Sequence, residues 1–189
     1  MEWFKAAEKF NQALASAEPT PGGGAAAAMA AAMGCSLALM AAQTTVKRKA
    51  TAQEIKDRLQ PHIRKLGALK TQLNNLIQED GAAYSAFIVA KKLPKEDSDR
   101  EKAMQDALVY AARVPADTAT TAIQCLREID LIKDDIAPVI MSDIYCAQHL
   151  LKGAVRCCVE NIKANLEFIK DADWNEKFRQ HMEVFLKSC

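Results

Sequence analysis

An excess of charge of either sign is missing from this 189-residue chain, in which 25 lysines and arginines stand against 24 aspartates and glutamates. Without such an excess, no overall electrostatic field draws the protein to nucleic acid or to a membrane surface. We therefore expect partners that are small or apolar, and we expect neither nucleic acid nor a membrane among them.

Metal and phosphate motifs are missing as well. The three histidines stand apart with no HExxH pair, and the six cysteines show no CxxC spacing. This pattern predicts no metal site and no disulfide framework, and it is typical of thiols in a reducing cytoplasm. A glycine triplet is present, but the Gly-Lys-Ser/Thr of a Walker motif is not, so a nucleotide loop is not expected.

Alternation of apolar and polar residues, the pattern of a β-strand, is not sustained in any segment. Every long segment instead shows the period of a helix. The sequence predicts an all-α fold, with residues 1–189 forming one domain, a helical bundle with long central helices. The expected segments are Trp3–Ser16, Ala25–Lys47, a third from a Thr51/Glu54 capping box to Leu93-Pro94, a fourth from a Ser98/Glu101 box that Pro115 divides, a fifth from about Pro138 to Lys170, and a tail capped by Asp173 with Glu176.

Two apolar segments could contact something other than the core of a single chain, either a membrane or a second copy. Residues 25–42 contain ten alanines and reach the lower length limit of a membrane span. Alanine contributes little to membrane transfer, so a central helix with closely packed neighbours is the preferred interpretation. The fifth segment is apolar on more than one face, which predicts a homodimer.

The first candidate site is the turn that precedes the alanine helix. It reads Pro19-Thr20-Pro21-Gly22-Gly23-Gly24. Prolines fix φ and glycines open the φ > 0 region, so this is a shaped turn at a helix start, where unpaired N–H groups can approach a ligand oxygen. A tight turn with no ligand explains the same residues.

The second candidate is Asp80, which follows Leu76 and precedes Tyr84 in the apolar stripe of the third helix. Desolvation at such a position would raise the carboxyl pKa and suit it to proton transfer near neutral pH. A buried structural carboxylate, or a stripe that ends before Asp80, remains the alternative.

Six short motifs resemble, in order and spacing, landmarks of the formiminotransferase-cyclodeaminase C-terminal domain family and its free-standing relatives. They are Glu18-Pro19-Thr20-Pro21-Gly22-Gly23-Gly24, Asp80-Gly81-Ala82-Ala83-Tyr84, Lys92-Leu93-Pro94-Lys95, Val114-Pro115, Ser142-Asp143 and Asn161-Ile162-Lys163-Ala164-Asn165-Leu166. The resemblance covers nearly the whole chain. It implies a folate enzyme working at the N5/N10 one-carbon bridge, either a formiminotetrahydrofolate cyclodeaminase or a methenyltetrahydrofolate cyclohydrolase.

The resemblance also implies roles for individual residues. Asp80 matches the active-site carboxylate, and Pro21 with Gly22, Gly23 and Gly24 matches a substrate-binding turn. Asp143 would bind the substrate's polar edge or position Asp80, although a carboxylate favoured by the helix dipole is an alternative. The expected ligand is a tetrahydrofolate derivative, polyglutamylated or not, with no further cofactor. Its glutamyl carboxylates would need cations, for which Lys49 and Lys92 are candidates, although both could simply stay solvated at helix ends.

Two departures limit the resemblance. Gln78 stands where the family often has an acidic residue, and Asp134-Asp135-Ile136-Ala137-Pro138 replaces a Gly-Asn-containing loop. A helical scaffold that lost the chemistry is therefore kept as the rival. Asn161 and Asn165 are expected to hydrogen-bond between helices. Asn161 lies about 27 Å along the helix axis from Asp143, so the two cannot bind one small ligand within one subunit.

Overall fold

The computed structural model describes all 189 residues and contains six α-helices and two short 3₁₀ turns, with no β-strand. The helices are α1 (Glu2–Leu14), α2 (Gly23–Lys47), α3 (Gln53–Lys91), α4 (Arg100–Ile132), α5 (Met141–Leu166) and α6 (Ala172–Lys187). The predicted all-α bundle with long central helices is confirmed. The order of the expected segments is confirmed too, although several of their ends differ.

Helix α2 is the centre of the bundle and packs against α3, α4 and α5. No charged residue occurs in it before Lys47. Its alanines let the neighbouring backbones approach closely. By length and composition it is the one helix that could also cross a membrane, but 56% of its most apolar stretch is buried inside the bundle. Such burial is typical of the core helix of a helical domain.

Helix α4 runs without interruption through Pro115, so the predicted division at that residue is wrong. Proline donates no N–H, and the carbonyl of Ala111, four residues earlier, therefore lacks its helical partner. The side chain of Asn165 on α5 supplies a replacement, with Nδ2 donating to Ala111 O at 3.1 Å. The prediction that Asn165 bonds between helices is thereby confirmed. The same prediction for Asn161 is wrong, since its Nδ2 donates to Cys157 O of its own helix at 2.8 Å.

The three predicted capping boxes, at Thr51, Ser98 and Asp173, are wrong. Thr51 Oγ1 donates instead to the backbone carbonyl of Thr45 at 2.7 Å, near the end of α2, and this carbonyl also accepts the Arg48 amide at 3.2 Å. Helix α4 begins without a side-chain cap. At α6 the cap is Asp171, whose Oδ1 accepts the Asp173 amide at 2.9 Å.

Helix α1 is amphipathic but buries none of its residues. Trp3 is 67% exposed and Phe4 is 56% exposed. Neither residue belongs to the buried core or to the side chains that pack against it. The apolar face of α1 is therefore unpartnered in a single copy of the chain.

Candidate active site

A cavity of about 590 Å³ lies where the start of α2, the last turns of α3, the first half of α4 and the end of α5 meet. Its volume falls within the range of small-molecule sites. Its walls combine apolar and aromatic side chains with a few polar groups, which include Asp80, Asn161 and Asn165. The cavity is large enough and mixed enough to hold an aromatic ligand with polar edges.

Asp80 reaches the cavity from α3 and binds the start of α2. Its Oδ2 accepts the backbone amide of Ala25 at 3.0 Å. Ala25 is the third residue of α2, so its N–H has no partner within the helix. The carboxylate therefore caps a different helix while its side chain lines the cavity, and a structural role and a chemical role coincide in one residue.

Burial raises the pKa of the Asp80 carboxyl above its ordinary value, and the hydrogen bond from Ala25 opposes that shift only in part. No neighbouring cation takes part. A carboxyl in this state exchanges its proton closer to neutral pH than an exposed aspartate does. The apolar stripe of α3 indicated this direction of shift.

Gly23 and Gly24 are needed because a larger side chain would collide with neighbouring side chains, and not because their backbone conformation is unusual. No glycine in the chain has positive φ, so the expectation that the triplet uses left-handed conformations is wrong. A Cβ atom on Gly24 would lie 1.9 Å from Asp80 Oδ1, and one on Gly23 would lie 3.2 Å from Asn161 Oδ1. Both glycines stand in the first turn of α2, and their N–H groups have no helical acceptor.

Cys158 on α5 lies close enough to Asp80 for the carboxylate to influence its thiol. Burial is the main cause that raises the pKa of Cys158 to about 12, with smaller contributions from Cys157 and Asp80. The Cys158 thiol therefore stays protonated near neutral pH and is a poor nucleophile. The carboxyl of Asp80 is therefore better suited to proton transfer than the Cys158 thiol.

The connection between α5 and α6 contributes Phe168 and Lys170 to the wall of the cavity. Gln105 on α4 holds this connection on two sides, since its Nε2 donates to Phe168 O at 3.2 Å and its Oε1 accepts the Lys170 amide at 2.8 Å. Lys170 Nζ also pairs with Glu101 at 2.6 Å. These contacts explain why α5 ends at Leu166, before the predicted Lys170.

Aromatic side chains stand on two sides of the cavity. Tyr84 and Phe87 come from α3, and Phe168 follows α5. The sequence placed Tyr84 in the apolar stripe of the third helix, and it identified neither Phe87 nor Phe168 as a cavity residue. An apolar residue just beyond a helix end, 64% exposed in the folded chain, gives no clear signal in a sequence.

The residues predicted from the sequence separate into two groups. Asp80, Gly22, Gly23 and Gly24 lie together around the cavity. The remaining candidates do not line it: Pro21, Lys49, Lys92 and Asp143.

Asp143 stands in the first turn of α5, at the end opposite the cavity. Any part for Asp143 in binding the same ligand would need a second copy of the chain. Its role and those of the two lysines stay predictions.

Comparison with known proteins adds a second line of argument. The family model described as formiminotransferase-cyclodeaminase matches residues 6–184. A methenyltetrahydrofolate cyclohydrolase from Methylorubrum extorquens is 29% identical over 184 residues, which cover 95% of this chain and 88% of that protein. A formimidoyltransferase-cyclodeaminase from Rattus norvegicus is 31% identical, and the match covers 95% of this chain but 34% of the rat protein.

The fold has a solved counterpart. The crystal structure of a formiminotetrahydrofolate cyclodeaminase from Thermotoga maritima matches with a TM-score of 0.85, covering 96% of this chain and 88% of that one. The sequence identity in this pair is 24%, so the likeness concerns the fold.

Proposed function

Because the chain belongs to the formiminotransferase-cyclodeaminase family, we propose that it is a tetrahydrofolate-dependent one-carbon enzyme acting at the bridge between N5 and N10. The observation that carries this proposal is the position of Asp80, a carboxyl with a raised pKa in a cavity walled by aromatic side chains. Two reactions fit this site.

As a cyclodeaminase, the protein converts 5-formiminotetrahydrofolate to the 5,10-methenyl form. N10 attacks the formimino carbon, which becomes tetrahedral, and N10 loses its proton. The departing nitrogen takes up that proton and one more, and it leaves as ammonia. One carboxyl that accepts and returns a proton suits both halves of this exchange.

As a cyclohydrolase, the protein opens the methenyl bridge with water. The oxygen of water bonds to the bridging carbon, and the bond from that carbon to N5 breaks. N5 takes up a proton, so that 10-formyltetrahydrofolate forms with the net release of one proton. Asp80 would remove the proton from water and deliver one to N5.

Electrons are not transferred in either reaction, and each step only makes or breaks bonds to carbon, nitrogen, oxygen and hydrogen. We therefore propose that the folate substrate needs no further cofactor in this site. The N–H groups of Gly23 and Gly24 would bind substrate oxygen, and Tyr84 and Phe168 would pack against its rings. These roles rest on the cavity that the four residues line.

One assay separates the two reactions from the rival helical scaffold. Purified protein is incubated separately with 5-formiminotetrahydrofolate and with 5,10-methenyltetrahydrofolate, while ammonia and the methenyl absorbance are followed. Gain of absorbance together with ammonia identifies the cyclodeaminase, and loss faster than the uncatalysed rate identifies the cyclohydrolase. No change with either substrate would refute the proposed function and favour the scaffold.

We also propose that the protein works as a homodimer. Helix α1 leaves Trp3 exposed, and the outer faces of α2 and α5 expose Met33 and Tyr145. One chain thus carries several uncovered apolar surfaces, which is the condition for a self-complementary interface.

Trp3 can report on this dimer once Trp174, the other tryptophan, is changed to phenylalanine. Its emission should shift to the red on dilution as the dimer dissociates. A monomer by light scattering at micromolar concentration, with unchanged emission, would contradict the dimer.

A further inference from the structure

The Asn165 side chain occupies an unusual position between two backbone carbonyls. Its Nδ2 donates to Ala111 O at 3.1 Å and to Asn161 O at 2.9 Å. The first of these acceptors is free because Pro115 cannot donate to it. A proline on α4 thus leaves free the carbonyl of the cavity-lining Ala111, which holds the asparagine of α5.

The amide of Asn165 has two N–H donors, and the two carbonyls use both of them. They also fix the orientation of the amide, since the reversed arrangement would bring its oxygen against two other oxygens. Asn165 lines the cavity, and its Oδ1 has no donor from the protein. What Asn165 presents to a ligand is therefore a neutral hydrogen-bond acceptor.

We propose that Asn165 is a specificity-determining residue that accepts a hydrogen bond from a ring N–H of a reduced pterin, and that Pro115 positions it for this role. The inference rests on the proposed folate function. A reduced pterin carries an amino group and ring N–H groups along one edge, and an acceptor that cannot turn to become a donor selects that edge. Asp80 would then transfer protons at the one-carbon group of the same ligand.

Asn165→Leu keeps much of the side-chain shape and removes the acceptor. We expect it to weaken binding of 5-formyltetrahydrofolate, a stable reduced folate, by roughly tenfold, the worth of a hydrogen bond or two to a buried ligand. Turnover at saturating substrate should change far less than KM. Unchanged affinity in the folded variant would overturn the inference.

Thr45→Val is a matched control. The buried Thr45 Oγ1 also makes two hydrogen bonds, donating to Ala41 O at 2.9 Å and accepting the Ala137 amide at 3.1 Å, but Thr45 lies at the other end of α2 and does not line the cavity. Its loss should lower stability and leave folate affinity unchanged. An equal loss of affinity in both variants would mean that Asn165 acts through stability alone, which contradicts the proposal.

Pro115→Ala tests the positioning. An alanine at this site restores the helical N–H to Ala111 O and competes with Asn165, so folate affinity should fall several-fold. In the Asn165→Leu background, the same change should leave affinity as it is. Equal effects in both backgrounds would refute the positioning role of Pro115.

Stability gives a readout that does not depend on folate. Asn165→Leu leaves Ala111 O unpaired only while Pro115 is present, so it should lower the urea midpoint less in the Pro115→Ala background. An equal shift in both backgrounds would overturn the coupling. If the unsubstituted protein binds no 5-formyltetrahydrofolate, the proposed function fails, and the assignment of a pterin ligand fails with it.

Discussion

Replacing Asp80 with asparagine tests the acid–base chemistry with little change of shape. Asp80 Oδ2 accepts the Ala25 amide at 3.0 Å, and an asparagine oxygen can accept the same hydrogen. The other carboxylate atom faces the space left by the missing side chain of Gly24, where an amide nitrogen has nearly the same volume. Proton exchange is what the variant loses, and a positioned acid or base is worth about 10²-fold to 10⁴-fold in rate. We therefore expect turnover to fall by at least ~10²-fold, with folate affinity nearly unchanged.

The same substitution should change stability with a sign set by the raised pKa of Asp80. Burial raises this pKa in the folded chain above its value in the unfolded chain, so ionisation of the carboxyl opposes folding. The stability that Asp80 contributes is fully present below the unfolded pKa and is lost as the pH rises through the folded pKa. At neutral pH the asparagine variant should therefore be at least as stable as the unsubstituted protein. The difference in unfolding free energy between the two proteins should approach zero as the pH falls toward about 4.

The assay compares turnover per folded, folate-binding site across pH in three proteins: the unsubstituted chain, Asp80→Asn and Asp117→Asn. Burial raises the pKa of the Asp117 carboxyl too, but Asp117 does not line the cavity, so its variant should keep normal turnover. The pH profile of turnover should show one ionisation in the unsubstituted protein that is absent from the profile of Asp80→Asn. Near-normal turnover in Asp80→Asn, or an equal loss in Asp117→Asn, would refute the mechanism.

Three further predictions concern the same region. Gly24→Ala should displace Asp80, since the added Cβ would lie 1.9 Å from its Oδ1, and both turnover and the urea midpoint should fall. Gly81→Ala, where a Cβ meets nothing within 4 Å, should instead stabilise α3 by about 0.5–1 kcal/mol in urea unfolding with turnover intact, and a loss there would contradict the geometry. Gln105→Met should speed hydrogen exchange at the Lys170 amide and weaken folate binding by roughly tenfold. Unchanged exchange would show that Gln105 does not hold the connection between α5 and α6.

Much of the fold could be predicted because each signal is local. The alanine run predicted a central helix, and α2 buries twelve of its residues among three neighbouring helices. The helical period of the other segments predicted the bundle in the same way. Helix ends were less predictable, since nearby residues of one type compete for the same role. Asp171 rather than Asp173 caps α6, and Thr51 bonds back to the end of α2 instead of capping α3.

The cavity could be predicted only in part. Asp80 stood out because a carboxylate interrupts an apolar stripe, and that contrast is visible in a single helix. Gln105 and Phe168 gave no comparable signal, because their contact depends on a connection 63 residues away in sequence. The glycine triplet was located correctly and explained incorrectly, since the space it leaves is filled by side chains from α3 and α5.

Residues that violate local rules converge on this one cavity. Gly23 and Gly24 weaken a helix start, Pro115 removes a helical hydrogen bond, and Asp80 places a carboxyl where burial disfavours its charge. Each departure costs stability where it occurs and provides something at the cavity: room for a carboxylate, a carbonyl that orients Asn165, and a carboxyl whose pKa is raised by burial. In natural proteins, helix propensity, packing and hydrogen bonding usually all favour the same fold. Residues that depart from these preferences therefore concentrate where function requires them. Their convergence is an argument for a chemical role of this cavity that is independent of the family resemblance.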